Sequence, residues 1–76
     1  MQNSKKVIGI LGGGQLARML AVAAAKLGHQ THIYDPNSDS PAFEVCRSNT
    51  IAPFSDQSSL VKFAKTLDVL TFEFEN

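Results

Sequence analysis

The sequence predicts an α/β fold, a Rossmann-like doubly wound parallel sheet with βαβαβαβ element order and strand order 3-2-1-4. Three observations predict it. The apolar run Val7-Ile8-Gly9-Ile10-Leu11 leads straight into Gly12-Gly13-Gly14-Gln15-Leu16-Ala17, and a helical period begins at Gln15. Strand-like and helix-like stretches then alternate along the chain, as parallel sheets with right-handed crossovers require. Asp35 closes the second strand-like run, near the place where a dinucleotide fold puts its ribose-binding acid.

Val7 to Leu11 reads as a strand covered on both faces. From Gln15, the residues Leu16, Met19, Leu20, Ala23 and Leu27 recur at helical spacing and form one apolar stripe. Ala21, Ala23, Ala24 and Ala25 favour a helix and permit close packing on a sheet. Lys26 and Gly28 mark its end. Gln30 to Tyr34 is the second strand, closed by Asp35-Pro36-Asn37. Ser40-Pro41 suits a helix cap followed by proline, so a short helix is expected over Ala42 to Arg47, with Cys46 as a small core residue. Thr50-Ile51-Ala52 reads as the third strand. Ser55 suits the cap of a further helix with Asp56 in its first turn, and Leu60, Phe63, Ala64 and Leu67 as its buried stripe. Val69 to Glu75 is the fourth strand, and residues 1–76 read as the first part of a longer protein.

Composition narrows the function. The 76 residues allow one small domain, and 43% are hydrophobic, as in globular chains. Seven basic and seven acidic residues cancel, which gives no electrostatic case for nucleic acid or a membrane surface. Val7 to Leu11 is too short for a signal-peptide core. The single cysteine, Cys46, cannot form an intrachain disulfide, and a cytoplasmic location is expected.

The glycine segment is the chief functional candidate. Gly12-Gly13-Gly14-Gln15-Leu16-Ala17 fits G-x-G-x-x-G/A, a turn that brings backbone close to a phosphate. The first N–H groups of the following helix have no partner inside it, and no Ser, Thr, Asp or Asn stands there to cap them. An anion or water must satisfy them. Strand order 3-2-1-4 puts the carboxyl end of the fourth strand beside this loop, at the switch point where such sheets bind ligands. Glu73 and Glu75 share parity there and suit an amine or sugar hydroxyls. Arg18 is expected on the exposed side of the first helix, and His29 and His32 in structural or surface roles. No ligand pair has metal spacing, and no nucleophile–histidine constellation is evident, so no catalytic or metal residue is assigned.

The run from Ile8 through Gly12-Gly13-Gly14-Gln15-Leu16-Ala17 to Leu20 resembles the opening of the 5-(carboxyamino)imidazole ribonucleotide synthases, ATP-grasp ligases of purine biosynthesis. Asp35-Pro36 followed by Asp39-Ser40-Pro41-Ala42 resembles the second strand and short helix of that family. Asp68-Val69-Leu70-Thr71 leading into Phe72-Glu73-Phe74-Glu75-Asn76 resembles its fourth strand. Ala17 stands where many relatives have glycine, a change that still allows close helix–sheet packing. The resemblance implies an incomplete pre-ATP-grasp domain that binds 5-aminoimidazole ribonucleotide and not a dinucleotide. The intact enzyme would use ATP, magnesium and bicarbonate, through carboxyphosphate, to carboxylate the ribonucleotide's amine. Its ATP and magnesium sites would lie outside this chain. Gly14, Gln15, Leu16 and Glu73 are the implied substrate contacts, with Gly12, Gly13, Asp35, Glu75 and Asn76 as weaker candidates. A homodimer is expected, because the fourth strand and the apolar surface beside it lack cover. Two other readings stay open from the residues alone: a dinucleotide-binding domain of an NAD(P)-dependent oxidoreductase, and a regulatory nucleotide-sensing module without chemistry.

Overall fold

The computed structural model describes residues 6–72. The elements run β1 (Val7–Leu11), α1 (Gln15–Lys26), β2 (Gln30–Asp35), a 3₁₀ helix (Pro41–Glu44), β3 (Ser48–Ile51), α2 (Gln57–Ala64) and β4 (Val69–Phe72). The four strands form one parallel sheet in the order β3-β2-β1-β4, as expected. Its register places Ile10 beside Ile33 of β2 and Thr71 of β4. Because side chains alternate along a strand, Ile8, Ile10 and Ile33 share one face and Gly9, His32 and Tyr34 the other.

The first face carries α1 and the 3₁₀ helix. Ile10, Ala17, Ile33 and Ala42 are buried there, flanked by Ile8, Phe43 and Cys46. The stripe expected to face this core does not. Ala17, Ala21 and Ala24 are the buried residues of α1, whereas Leu16, Met19, Leu20 and Leu27 are exposed, Met19 at 66% and Leu27 at 75%. Ala23 is exposed as well. The short glycine loop sets the rotation of α1, and the helix lies close enough to the strands that a methyl group fills the contact at Ala17, 0% exposed. Alanines at positions 17, 21 and 24 have the same helical spacing as the larger residues, so periodicity alone did not separate the faces.

The end of α1 follows the expected pattern. Gly28 adopts φ 86°, its N–H donates to the Ala25 carbonyl, and the His29 N–H donates to Ala24 at 2.9 Å, closing the helix with paired carbonyls. Other boundaries moved. The short helix is a 3₁₀ turn over Pro41–Glu44, held by Phe43 N–H to Ser40 and Val45 N–H to Ala42, both 3.1 Å. Ser40 occupies the cap position, but its hydroxyl donates to the Asn37 carbonyl at 2.7 Å. Cys46 therefore lies past this helix, half-buried at the edge of the core. β3 begins at Ser48 and ends at Ile51. Asp56, not Ser55, caps α2: its carboxylate accepts from the Ser59 N–H at 3.1 Å and from the Ser59 hydroxyl at 2.9 Å. Those bonds hold the Asp56 carboxyl below its ordinary range. Of the expected α2 stripe, Phe63 is buried, Leu60 and Leu67 are half-buried and Ala64 is exposed. Leu67 follows the helix and lies over Gly9, where a Cβ on β1 would collide with it.

The second face is aromatic and polar. Tyr34 is fully buried, packs against Phe54 and Phe63, and donates to the Pro53 carbonyl at 2.6 Å. His32 is structural, as expected. Its ring meets Phe63 edge-on, with Nδ1 3.0 Å from Thr66 Oγ1 and Nε2 2.7 Å from Thr50 Oγ1. The Thr66 hydroxyl spends its proton on the Phe63 carbonyl at 2.8 Å, so His32 Nδ1 carries the ring proton and Nε2 accepts from Thr50. Burial lowers the His32 pKa from 6.5. Between the lowered folded value and 6.5, the unfolded chain binds more protons, so stability rises with pH there. Urea unfolding should accordingly show the full His32 contribution above pH 6.5 and its loss as pH falls below. A midpoint that does not fall on that acid side would contradict the neutral, doubly bonded ring.

Candidate functional site

The candidate site is the end of β1 and the start of α1. Gly12 turns the chain with φ 105°, a region costly for any residue with a Cβ, and its N–H donates to the Tyr34 carbonyl at 2.8 Å. Gly14 is the N-cap of α1, without a side-chain cap and without an acidic residue in the first turn. The first bond inside the helix runs from the Arg18 N–H to the Gly14 carbonyl at 3.0 Å. The amides before it, of Gly14, Gln15, Leu16 and Ala17, are the ones that an α-helix leaves without an internal acceptor. They sit at the positive end of the α1 dipole, over the carboxyl edge of the sheet. Gln15 and Leu16 are exposed at that start.

Between the turn and the cap, Gly13 is held by the chain itself. Its N–H donates to Asp35 Oδ2 at 2.8 Å, and its carbonyl accepts from the Ala42 N–H at 2.9 Å. The other Asp35 oxygen accepts from the Asn37 N–H at 2.8 Å. A Cβ built on Gly13 would stand 2.8 Å from the Ser40 Cβ and 3.2 Å from the Asp35 Cβ. The second place of G-x-G-x-x-G/A is open to any residue in a dinucleotide fold. Here it must be glycine because the connection from Asp35 to Ala42 closes on it. The role of Ser40 was not read from the sequence; its signal was the glycine at that open place.

The register brings β4 to the same spot. Phe72, the last described residue, is level with Leu11, which precedes Gly12. Glu73, Glu75 and Asn76 lie outside the described residues. Arg18 is exposed, as expected, and its guanidinium is 3.8 Å from the Glu44 carboxylate. A groove of about 390 Å³ beside the loop's flank is lined by Ser38, Asp39, Ser40, Phe43 and Glu44. Another of about 280 Å³ lies on the outer side of α1, along Arg18, Met19, Val22, Ala23 and Lys26, away from the open amides. Among the described residues, no group of His, Cys, Asp and Glu is arranged to hold a metal ion. No helix among them is long and apolar enough to cross a membrane.

A parallel sheet of order 3-2-1-4, with an uncapped helix start at its switch point, defines a Rossmann-like domain whose helix start is of the kind that suits an anion. The chain belongs to the ribonucleotide synthetase preATP-grasp domains, whose family model matches residues 5–76. It is 54% identical over 69 residues to the bifunctional purine synthesis protein purC/E of Dictyostelium discoideum, covering 91% of this chain and 7% of that protein. It is 48% identical over 69 residues to the N5-carboxyaminoimidazole ribonucleotide synthase of Brucella melitensis, covering 91% of this chain and 19% of that one. Among solved structures, the ADP complex of an N5-carboxyaminoimidazole ribonucleotide synthetase superposes with a TM-score of 0.89 at 42% identity, over 93% of this chain and 19% of that one. The Aspergillus clavatus synthase, in complex with ADP and 5-aminoimidazole ribonucleotide, superposes with a TM-score of 0.80 at 35% identity, over 92% and 19%. The chain thus spans about a fifth of the length of these synthases.

Proposed function

We propose that this chain is the N-terminal, ribonucleotide-binding part of an ATP-dependent ligase of purine biosynthesis. The intact enzyme carboxylates the amine of 5-aminoimidazole ribonucleotide with bicarbonate, giving the carboxyamino ribonucleotide, ADP and phosphate. The observation that carries this reading is the uncapped start of α1 at the β1–β4 switch point, in a chain of the ribonucleotide synthetase family. A 5′-phosphate suits the amides of Gly14, Gln15 and Leu16, and a carboxylate at Glu73 suits the amine or ribose. Gly12 and Gly13 shape the loop, and Glu75 and Asn76, which follow Glu73 in sequence, are further candidates. None of these residues is a nucleophile; they bind and orient the substrate. ATP and magnesium are held outside this chain, and ATP supplies the phosphoryl group that activates bicarbonate. The exposed apolar residues of α1 and β4, among them Met19, Leu20, Val69 and Leu70, support a homodimer or further domains packed there. The enzyme works in the cytoplasm.

Calorimetry tests the assignment against an oxidoreductase. The full-length enzyme that carries this chain should bind 5-aminoimidazole ribonucleotide saturably and give no saturable heat with millimolar NAD or NADP. The 76-residue chain alone should hydrolyse no ATP in the presence of magnesium. Micromolar NAD binding, or turnover of ATP by the isolated chain, would reverse the assignment.

A further inference from the structure

We propose that Asp35 is a positioning residue for the phosphate of the ribonucleotide, acting through the Gly13 peptide; this rests on the substrate reading above. The carboxylate does not project freely from the end of β2. One oxygen accepts from the Gly13 N–H at 2.8 Å and the other from the Asn37 N–H at 2.8 Å. The Asn37 bond fixes the carboxylate's orientation, and the Gly13 bond fixes one side of a single peptide unit. On the far side of that residue, the Gly13 carbonyl accepts from the Ala42 N–H at 2.9 Å, and Ala42 is anchored in the core at 0% exposure. The buried Ser40 closes the remaining space against the Gly13 Cα, and its own hydroxyl is tied to Asn37.

Asp35, Ser40 and Ala42 therefore form a clamp around the residue that immediately precedes the cap of α1. The direction of the Gly14, Gln15 and Leu16 amides follows from the backbone torsions at Gly13 and Gly14. Those amides act on an anion only while they converge on one point, so a loop free to rotate at Gly13 would lose aim before it lost fold. A dinucleotide fold uses an acid at this place to hold a ribose. In this chain the same position serves the loop.

The test uses the full-length enzyme with Asp35→Ala and, as the milder variant, Asp35→Asn, which keeps the size but offers one acceptor oxygen where two are used. Thr66→Val is the control. It removes the His32 and Phe63 contacts on the opposite face of the sheet and destabilises the domain without touching the loop. Calorimetry in the absence of ATP measures ribonucleotide affinity and its displacement by inorganic phosphate. Losing a charge-assisted bond that aims the loop should weaken ribonucleotide binding by about tenfold in Asp35→Ala. The dissociation constant of inorganic phosphate, taken from the competition curves after allowing for the ribonucleotide's own affinity, should rise by about the same factor, the KM for ATP should stay unchanged, and Thr66→Val should leave all three alone. Unaltered ribonucleotide affinity in both Asp35 variants would overturn the proposal. So would weaker ribonucleotide binding with an unaltered phosphate dissociation constant, which would make Asp35 a direct ribose contact. An equal loss in Thr66→Val would reduce the effect to general destabilisation. Failure of the wild-type enzyme to bind the ribonucleotide would instead overturn the substrate reading itself, a result distinct from any Asp35 effect.

Discussion

Gly13→Ala should lower the stability of this domain by about 1–3 kcal/mol, the usual cost of forcing a carbon into a filled space. The added Cβ would meet the Ser40 Cβ at 2.8 Å, its Oγ at 3.1 Å and the Asp35 Cβ at 3.2 Å. None of these is the free end of a flexible side chain. Ser40 is 6% exposed, and its hydroxyl is bonded to Asn37. Relief requires the loop to move away, which stretches both bonds made by the Gly13 peptide. Small domains have only roughly 5–15 kcal/mol of net stability, so the shift in urea midpoint should be large. The clash is pairwise, and a double-mutant cycle isolates it. Ser40→Gly removes the opposing carbon, so Gly13→Ala should cost much less in that background than in the wild type. Equal costs in the two backgrounds would show that Gly13 is required for another reason.

That clamp also shows where sequence reasoning reached and where it stopped. Strand order, the extent of α1 and the glycine turn were legible because each depends on local chemistry or on a general crossover rule. The apolar run before Gly12, the helical period after it and the stop at Gly28 all act within a few residues. The buried face of α1 was not legible. Leu16, Met19 and Leu20 carry more apolar surface than Ala17, Ala21 and Ala24, yet the smaller residues face the sheet. Which stripe wins depends on the helix–sheet distance, a tertiary quantity that the short loop fixes. The cap of α2 moved from Ser55 to Asp56 because either residue satisfies the local rule, and the hydroxyl of Ser59 favours the carboxylate.

The candidate site divided in the same way. Gly14, Gln15 and Leu16 were legible as open donors because helix starts always leave them. Asp35 was legible as an acid at the right strand end, but its partner was not. The Gly13 amide comes within 2.8 Å of Asp35 only because β1 and β2 are neighbours in register, with Leu11 beside Tyr34. Ser40 gave no signal by itself, since a serine before a proline is an ordinary helix start. Its contact with Gly13 is a property of the assembled sheet. The pairing of His32 with Thr50 and Thr66 likewise joins three elements that no local spacing connects.

Glu73→Gln is expected to raise the KM for 5-aminoimidazole ribonucleotide by roughly ten- to a hundredfold in the full-length enzyme, the equivalent of a charge-assisted hydrogen bond of about 1.5–3 kcal/mol. Glu73 follows Phe72 in sequence, and Phe72 is level with Leu11 on the neighbouring strand. Phe72 thus stands where β1 gives way to the glycine loop, and Glu73 is the next residue in sequence. In the proposed function the open amides take the anionic end of the ribonucleotide, and the Glu73 carboxylate takes its amine or hydroxyls. Glutamine keeps the shape and removes the charge, so the loss reports on the charge-assisted bond and not on packing. The KM for ATP should remain nearly unchanged, because ATP binds elsewhere in this reading. Steady-state kinetics with each substrate varied in turn separate the two. If both constants rise together, the substitution has disturbed the fold; if the ribonucleotide constant is unaltered, Glu73 has no part in holding the substrate and the open amides of α1 carry the site alone.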